Sequence, residues 1–234
     1  MLRALLVLAF WGVAALPAAL IGFLWTFISG KVDLLYRMGV GVGFLGVRLI
    51  GVKIDIVGRE KLDWRRTYIF MCNHASNLDP PIVIPVMPRR TSVLVKKELF
   101  RVPLLGWAMR LTSLVPVDRR NREAAIASLR FASDVLRSGV NMTIWPEGTR
   151  SPDGRLLPFK KGPFHLAMES GVAIVPVTAV GTHEIWPKGE FAVHPGTATV
   201  IFHEPIDPAA FSSQEDLIDA VRERIRSGLP AKYQ

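Results

Sequence analysis

The stretch TYIFMCNHASNLD, residues 67–79, joins a short apolar run to a group of polar residues. Residues 68–72 are apolar and are bounded by polar residues, a pattern typical of a buried strand. His74 and Asp79 follow where this strand ends. Turn-forming residues lie between them, and Asp79 before Pro80 is a good helix start, with the aspartate as N-cap. Local chemistry alone leaves a turn and a catalytic site as equal alternatives.

The rest of the chain alternates between strand-like and helix-like patterns. Strands are predicted at 52–57, 92–95, 113–117, 142–145, 172–180 and 197–202, and helices at 124–136, 164–169 and 214–225. Strands that alternate with helices indicate an α/β fold around one central sheet, mostly parallel and flanked by helices. No linker divides residues 51–234, so we treat them as one domain.

The N-terminal segment is the most apolar part of the chain. From Ala4 to Gly30 it carries no charged residue, which is long enough to span a bilayer. The run is longer than the apolar region of a cleaved signal peptide, so we predict a retained membrane segment. Whether it spans the membrane or turns back near Pro17 stays open. A second helix is predicted after Lys31, and residues 1–50 are assigned to a membrane-anchoring helical segment.

Basic residues are concentrated in the middle of a chain whose formal net charge is +9. The window 89–122 holds nine Lys or Arg and two acidic residues, so it carries +7 of that charge. Anionic lipid headgroups attract such residues. Nucleic acid is a competing partner, but no nucleic-acid-binding motif is found and the membrane segment would go unexplained. Lipid is therefore the predicted partner. The single cysteine, Cys72, cannot form an internal disulfide, and no residues have metal-ligand spacing.

A second polar motif, WPEGTRS at 145–151, also follows a predicted buried strand. Ligands of α/β proteins bind at the carboxyl ends of strands. Gly148 allows a ligand to approach the backbone, Thr149 offers a hydroxyl, and Arg150 offers a planar guanidinium suited to phosphate. A surface turn is the alternative, because residues 151–154 have turn chemistry.

Four sequence blocks resemble a known family. They are HASNLD at 74–79, VKKEL at 95–99 running on to Asp118-Arg119, PEGTRS at 146–151 with FKKG at 159–162, and IVPV at 174–177. With these four blocks in order, the chain resembles the glycerolipid acyltransferases, and most closely the 1-acylglycerol-3-phosphate (lysophosphatidic acid) acyltransferases. The resemblance spans about residues 55–205 in family order, and it identifies residues 51–234 as an α/β acyltransferase domain.

The resemblance implies transfer of a fatty acyl group from acyl-ACP or acyl-CoA to the hydroxyl of lysophosphatidic acid, giving phosphatidic acid. An alcohol needs a base to attack a thioester near neutral pH, and His74 suits that role, with Asp79 holding its other ring nitrogen. Residues five positions apart lie about 140° apart around a helix and cannot meet on one face, so a turn must fold Asp79 back. We expect Glu147 to orient Arg150 or a basic neighbour such as Lys96. The expected substrate-binding residues are Glu147, Gly148, Thr149, Arg150, Arg119 and Lys96.

Alternatives to this hypothesis concern the nucleophile, the acceptor and the class of protein. Ser76 and Cys72 are rival nucleophiles, although no G-x-S-x-G elbow surrounds the serine and a cysteine at a buried strand end is usually packing. The acceptor could be glycerol 3-phosphate or another lysolipid, or the protein could be a non-catalytic anionic-lipid-binding module. We expect neither a cofactor nor a metal, no nucleic-acid partner, and a location at the cytoplasmic membrane with the catalytic domain facing the cytoplasm.

Overall fold

The computed structural model describes residues 1–118 and 122–234, with residues 122–126 as backbone only. The helices are α1 (Leu2–Ser29), α2 (Asp33–Leu49), α3 (Asp79–Val83), α4 (Leu105–Leu111), α5 (Arg122–Arg137), α6 (Lys161–Ser170), α7 (Thr182–Ile185) and α8 (Gln214–Ser227). The strands are β1 (Val52–Val57), β2 (Ile69–Cys72), β3 (Thr91–Lys96), β4 (Val115–Val117), β5 (Asn141–Ile144), β6 (Ile174–Val180) and β7 (Gly196–Phe202). The predicted α/β class is confirmed.

Within the described residues, the seven strands form one sheet in the order β1-β7-β6-β2-β5-β3-β4. Strands β6, β2, β5, β3 and β4 are mutually parallel, whereas β7 pairs with β6 in antiparallel fashion and β1 is parallel to β7. Strands β2 and β5 are neighbours and therefore end side by side. We call the side of the sheet where they end the His74 edge, and the side where β3 and β5 begin the opposite edge.

Both faces of the sheet are covered, which explains why its central strands are apolar without interruption. Along β2, Phe70 and Cys72 join one core with residues of α1, α2 and α3. Ile69 and Met71 point the other way, into a core with residues of α5, α6 and α8. Burial of each large apolar side chain stabilises the fold by ~1.5–3 kcal/mol. A buried strand fixed on both faces gives the residues that follow it a rigid support.

Helices α1 and α2 form an N-terminal hairpin. Helix α1 runs without interruption through Pro17 and ends at Gly30, whose φ of 70° reverses the chain. The two helices pack closely because glycine lies at their contacts; a Cβ at Gly46 would come 2.2 Å from the indole Nε1 of Trp11. Most of the remaining surface of α1 is apolar and exposed. By length and composition α1 is consistent with membrane association.

Candidate active site

The two polar motifs meet at the His74 edge. His74 follows β2 and Glu147 follows β5, so neighbouring parallel strands bring them together. The backbone N–H of His74 donates to Oε1 of Glu147 over 2.6 Å. The N–H of Ser151 donates to the carbonyl oxygen of His74 over 2.7 Å. Residues 73 positions apart in the sequence thus form one structural unit.

The side chains of His74 and Asp79 are hydrogen-bonded. Nδ1 of His74 lies 2.7 Å from Oδ2 of Asp79. The same carboxylate oxygen accepts the N–H groups of Ala75 and Ser76, at 2.7 and 2.8 Å. The turn between the two residues therefore folds Asp79 back onto His74, as the spacing required. Because an ionised carboxylate only accepts hydrogen bonds, Nδ1 carries the proton in this pair.

The expectation that Asp79 caps the following helix is wrong. Asp79 is the first residue of α3, and its side chain makes no cap hydrogen bond. Two prolines, Pro80 and Pro81, come next and have no N–H to donate. The first N–H after them, that of Ile82, donates to the carbonyl of Leu78. The carboxylate instead accepts hydrogen bonds from the upstream amides of Ala75 and Ser76 and from the His74 ring.

The second ring nitrogen of His74, Nε2, has no hydrogen-bond partner among the described residues. The ring packs on the indole of Trp145, with centroids 5.1 Å apart. His74 also lines a cavity of about 330 Å³, whose walls include Leu94, Val117, Ile144 and the backbone of Gly148. With the proton on Nδ1, Nε2 carries a lone pair, so it can accept a proton from a bound molecule.

Glu147 is buried and holds two backbone segments together. Its second oxygen, Oε2, accepts the N–H of Leu157 over 3.0 Å. Burial raises the pKa of Glu147 to about 7; hydrogen bonds from His74 and Leu157 counteract this rise, and the nearby charge of Asp79 adds to it. Both carboxylate oxygens accept backbone N–H groups, and Arg150 donates to Asn77 instead, so the expectation that Glu147 orients Arg150 is wrong. The basic neighbour whose charge acts on Glu147 is Arg222 rather than Lys96.

Arg150 instead joins the second motif to the first. Its Nη1 donates to the side-chain oxygen of Asn77, in the turn between His74 and Asp79. Nζ of Lys188 donates to the backbone carbonyl of Arg150 over 2.8 Å, which places a second cation beside this loop. The sequence offered no signal for Lys188, because it belongs to a distant segment outside the four blocks.

The other expected substrate-binding residues have mixed positions. Gly148 has a φ of 71°, and a Cβ there would meet Cγ of Lys160 at 3.4 Å, so the loop passes close to a cation that the third block contains. Thr149 is exposed. Lys96 is exposed at the end of β3, with its Nζ 3.8 Å from Glu98, and makes no contact with the His74 loop. Arg119 lies outside the described residues.

Neither rival nucleophile reaches the cavity. Cys72 is fully buried in the core, and burial raises the pKa of its thiol, with the charges of Asp79 and Glu147 adding to the rise. Ser76 is also buried, and its hydroxyl donates to the carbonyl of Trp186 over 2.8 Å and accepts the N–H of Leu78. These geometries fit packing and turn formation.

Comparisons with known proteins agree with one another. A family model described as Acyltransferase matches residues 53–180. A 1-acyl-sn-glycerol-3-phosphate acyltransferase from Limnanthes alba is 38% identical over 213 residues, covering 90% of this chain and 74% of the relative. One from Saccharomyces cerevisiae is 34% identical over 181 residues, covering 76% and 59%. The crystal structure of a 1-acyl-sn-glycerophosphate (LPA) acyltransferase from Thermotoga maritima matches with a TM-score of 0.82 at 29% identity, covering 97% of this chain and 95% of that one. This chain therefore belongs to the 1-acyl-sn-glycerol-3-phosphate acyltransferase family of enzymes.

Proposed function

We propose that this enzyme transfers a fatty acyl group from acyl-ACP or acyl-CoA to the free hydroxyl of 1-acylglycerol 3-phosphate, giving phosphatidic acid, with His74 as general base. The observation that carries the mechanism is the His74–Asp79 hydrogen bond of 2.7 Å, with Nε2 left open at a cavity. The acceptor is supported by relatives named for that activity.

The proposed reaction is a direct transfer. Nε2 of His74 takes the proton of the acceptor hydroxyl as its oxygen forms a bond to the thioester carbonyl carbon. When the tetrahedral intermediate collapses, the carbon–sulfur bond breaks and the imidazolium gives its proton to the departing thiolate. Asp79 stabilises the imidazolium and keeps the proton on Nδ1. The products are the new ester and a free thiol.

The surroundings of His74 suit both substrates. The wall of the cavity formed by Leu94, Val117 and Ile144 is apolar, as an acyl chain requires. Arg150 is hydrogen-bonded to Asn77, in the turn between His74 and Asp79, and Lys188 is hydrogen-bonded to the backbone of Arg150. We place the phosphate of the acceptor at these cations, because a guanidinium binds two phosphate oxygens at once.

Glycerol 3-phosphate and other lysolipids are alternative acceptors for the same chemistry. A purified enzyme given one thioester donor and a panel of acceptors distinguishes them by mass spectrometry of the products. We expect 1-acylglycerol 3-phosphate to give the highest kcat/KM. A higher kcat/KM with glycerol 3-phosphate would contradict the proposed acceptor. If no acceptor in the panel supported thioester turnover, acyl transfer itself would be contradicted.

The proposed base is tested by replacing His74 with Ala. Loss of a general base lowers the rate by ~10²–10⁴, and we expect a folded protein with kcat reduced by that factor. Cys72→Ala is the matched control, because Cys72 is the last residue of β2, two positions before His74, and has no part in the proposed reaction. We expect Cys72→Ala to keep its activity.

Both variants are compared with the wild type by circular dichroism and steady-state kinetics. Near-normal turnover by a folded His74→Ala protein would sink the mechanism. A labelled acyl group trapped on Cys72, together with an inactive Cys72→Ala protein, would replace it with a two-step transfer through an acyl-enzyme.

A further inference from the structure

A second concave site lies far from His74, at the opposite edge of the sheet. It is a groove of about 890 Å³ between one face of α2 and the segment 84–90, with residues 138–140 at its end. The segments 84–90 and 138–140 directly precede β3 and β5, whereas His74 and Trp145 follow β2 and β5. The groove and the catalytic cavity are therefore separated by the length of the strands.

The groove is strongly basic. Of the described residues that line it, four are arginines and one, Asp33, is acidic. Arg89 is committed to structure, since it donates to the carbonyls of Trp64, Arg65, Arg66 and Gly139 at 2.6–3.3 Å. The other three are Arg37, Arg59 and Arg90. Positive charge in excess of what the fold uses points to an anionic ligand.

These three arginines keep donors available. Arg37 is exposed and has no partner in the described part of the chain. Arg90 lies 3.7 Å from Asp33, a long and partly exposed contact. Arg59 uses one N–H on the carbonyl of Val86, and its guanidinium lies over the ring of Trp64 at 5.1 Å. Each guanidinium has five N–H donors, and most of them are unused here. Since Arg37 lies on α2 and Arg90 lies in the segment 84–90, both sides of the groove can donate to an anion.

Tyr36 adds a neutral donor between them. Its hydroxyl oxygen accepts the N–H of Thr91 over 3.2 Å, and its own O–H has no acceptor among the described residues. The wall of the groove also contains apolar residues, among them Val40, Phe44 and Ile84. A ligand that fits both parts has an anionic group and an apolar body. A free inorganic ion would leave the apolar wall unused.

We propose that this groove binds the phosphate group and upper chain region of an anionic phospholipid, at a site distinct from the catalytic one. Phosphate oxygens match the planar forks of Arg37 and Arg90 and the Tyr36 hydroxyl. The lipid source follows from position, because the groove is walled by α2, which packs along the exposed apolar helix α1. The proposal does not depend on which acceptor the enzyme acylates.

The test uses the full chain in detergent micelles and native mass spectrometry with added phosphatidylglycerol or phosphatidylcholine. We compare Arg37→Gln/Arg90→Gln with Arg130→Gln/Arg224→Gln. The control pair removes the same charge from exposed arginines whose side chains make no hydrogen bond or ion pair with the described residues. Hydrogen–deuterium exchange of residues 33–44 and 84–91 locates the bound lipid, and an excess of inorganic phosphate serves as competitor.

We expect the wild type and the control pair to bind one phosphatidylglycerol at least about tenfold more tightly than phosphatidylcholine. A tenfold difference in Kd corresponds to the loss of one charge-assisted hydrogen bond. The groove variant loses this preference, lipid protects 33–44 and 84–91, and inorganic phosphate does not displace it. Equal binding by the two variant pairs, protection confined to residues 73–79, or displacement by inorganic phosphate would each overturn the proposal.

Discussion

At the scale of single residues, Glu147 holds two backbone segments together, but its burial disfavours its charged form. Its two oxygens accept backbone N–H groups from His74 and Leu157, yet burial raises its pKa from 4.5 to about 7. The folded protein therefore binds more protons than the unfolded chain between these values. By linkage, this group's contribution to the free energy of unfolding falls as the pH rises from about 4.5 to about 7, and stays low above it.

Glu147→Gln removes that ionisation. We expect the wild type to lose more stability than Glu147→Gln between pH 5 and pH 8, with a difference on the order of 2 kcal/mol. Denaturant unfolding at both pH values measures it. Glu223→Gln, an exposed glutamate on α8, is the control and should leave the pH dependence nearly unchanged. An equal pH dependence in wild type and Glu147→Gln would show that the folded pKa of Glu147 is not raised.

Arg150 is the residue at which phosphate recognition is tested. We expect Arg150→Ala to raise the acceptor KM by roughly ten- to over a hundredfold, since a charge-assisted hydrogen bond contributes ~1.5–3 kcal/mol. Arg150→Lys should recover only part, because lysine supplies charge without the fork. Arg155→Ala, an exposed arginine a few residues further along the loop, is the control. Kinetics with each substrate varied in turn separate the two constants. A higher KM for the thioester donor with an unchanged KM for the acceptor would assign this loop to the thioester carrier.

At the scale of elements, the central strands β2 and β6 were predictable because burial on both faces makes their sequences continuously apolar or nearly so. Every predicted strand occurs, and the pattern of β2 is apolar at each position because both cores use it. The antiparallel pairing of β7 with β6 was not predictable from periodicity, which carries no strand direction. Helix α4 was not predicted either; much of its apolar surface is exposed, with Trp107 the clearest case.

The candidate site was predictable where its residues are close in sequence, and less so where they meet in space. The fold-back of Asp79 onto His74 followed from their spacing, but its failure to cap α3 depends on the two prolines that remove the donors. The hydrogen bonds of Glu147 were not predicted, because its partners are backbone amides, which carry no sequence signal. Lys188 reaches Arg150 only through the tertiary fold.

At the scale of the whole molecule, the basic window seen in the sequence does not form one patch. Strand β3 crosses the sheet between Arg90 and Lys97, so the window contributes positive charge to both edges. Lys97 pairs with Asp118 near the His74 edge, while Arg90 faces the groove at the opposite edge. Positive charge at both ends, with an apolar helix alongside, suits an enzyme held at an anionic lipid surface.

Membrane attachment through α1 can be tested without removing the helix. Deleting residues 1–30 would uncover Leu35 and Val47 of α2, which are buried. Val13, Leu20 and Phe27 are instead 74%, 71% and 89% exposed, so replacing all three with Lys leaves the packing intact. A lysine in the hydrocarbon costs ~2.5–3.5 kcal/mol, or roughly a hundredfold in partitioning for each residue. We expect the triple variant to leave the vesicle fraction in high salt and to lose turnover of vesicle-embedded lysolipid, while it keeps turnover of detergent-dispersed lysolipid.

Vesicle flotation in high salt and the two assays are carried out on the wild type, the triple variant and Phe191→Lys. Phe191 is an exposed aromatic residue between α7 and β7, far along the chain from α1. Its replacement is the same apolar-to-lysine change as in the triple variant. High salt screens the basic surfaces, so what floats there is held by apolar contact. Since α1 supplies that contact in this scheme, Phe191→Lys should float like the wild type. A triple variant that still floats fully in high salt would place the anchor elsewhere in the molecule.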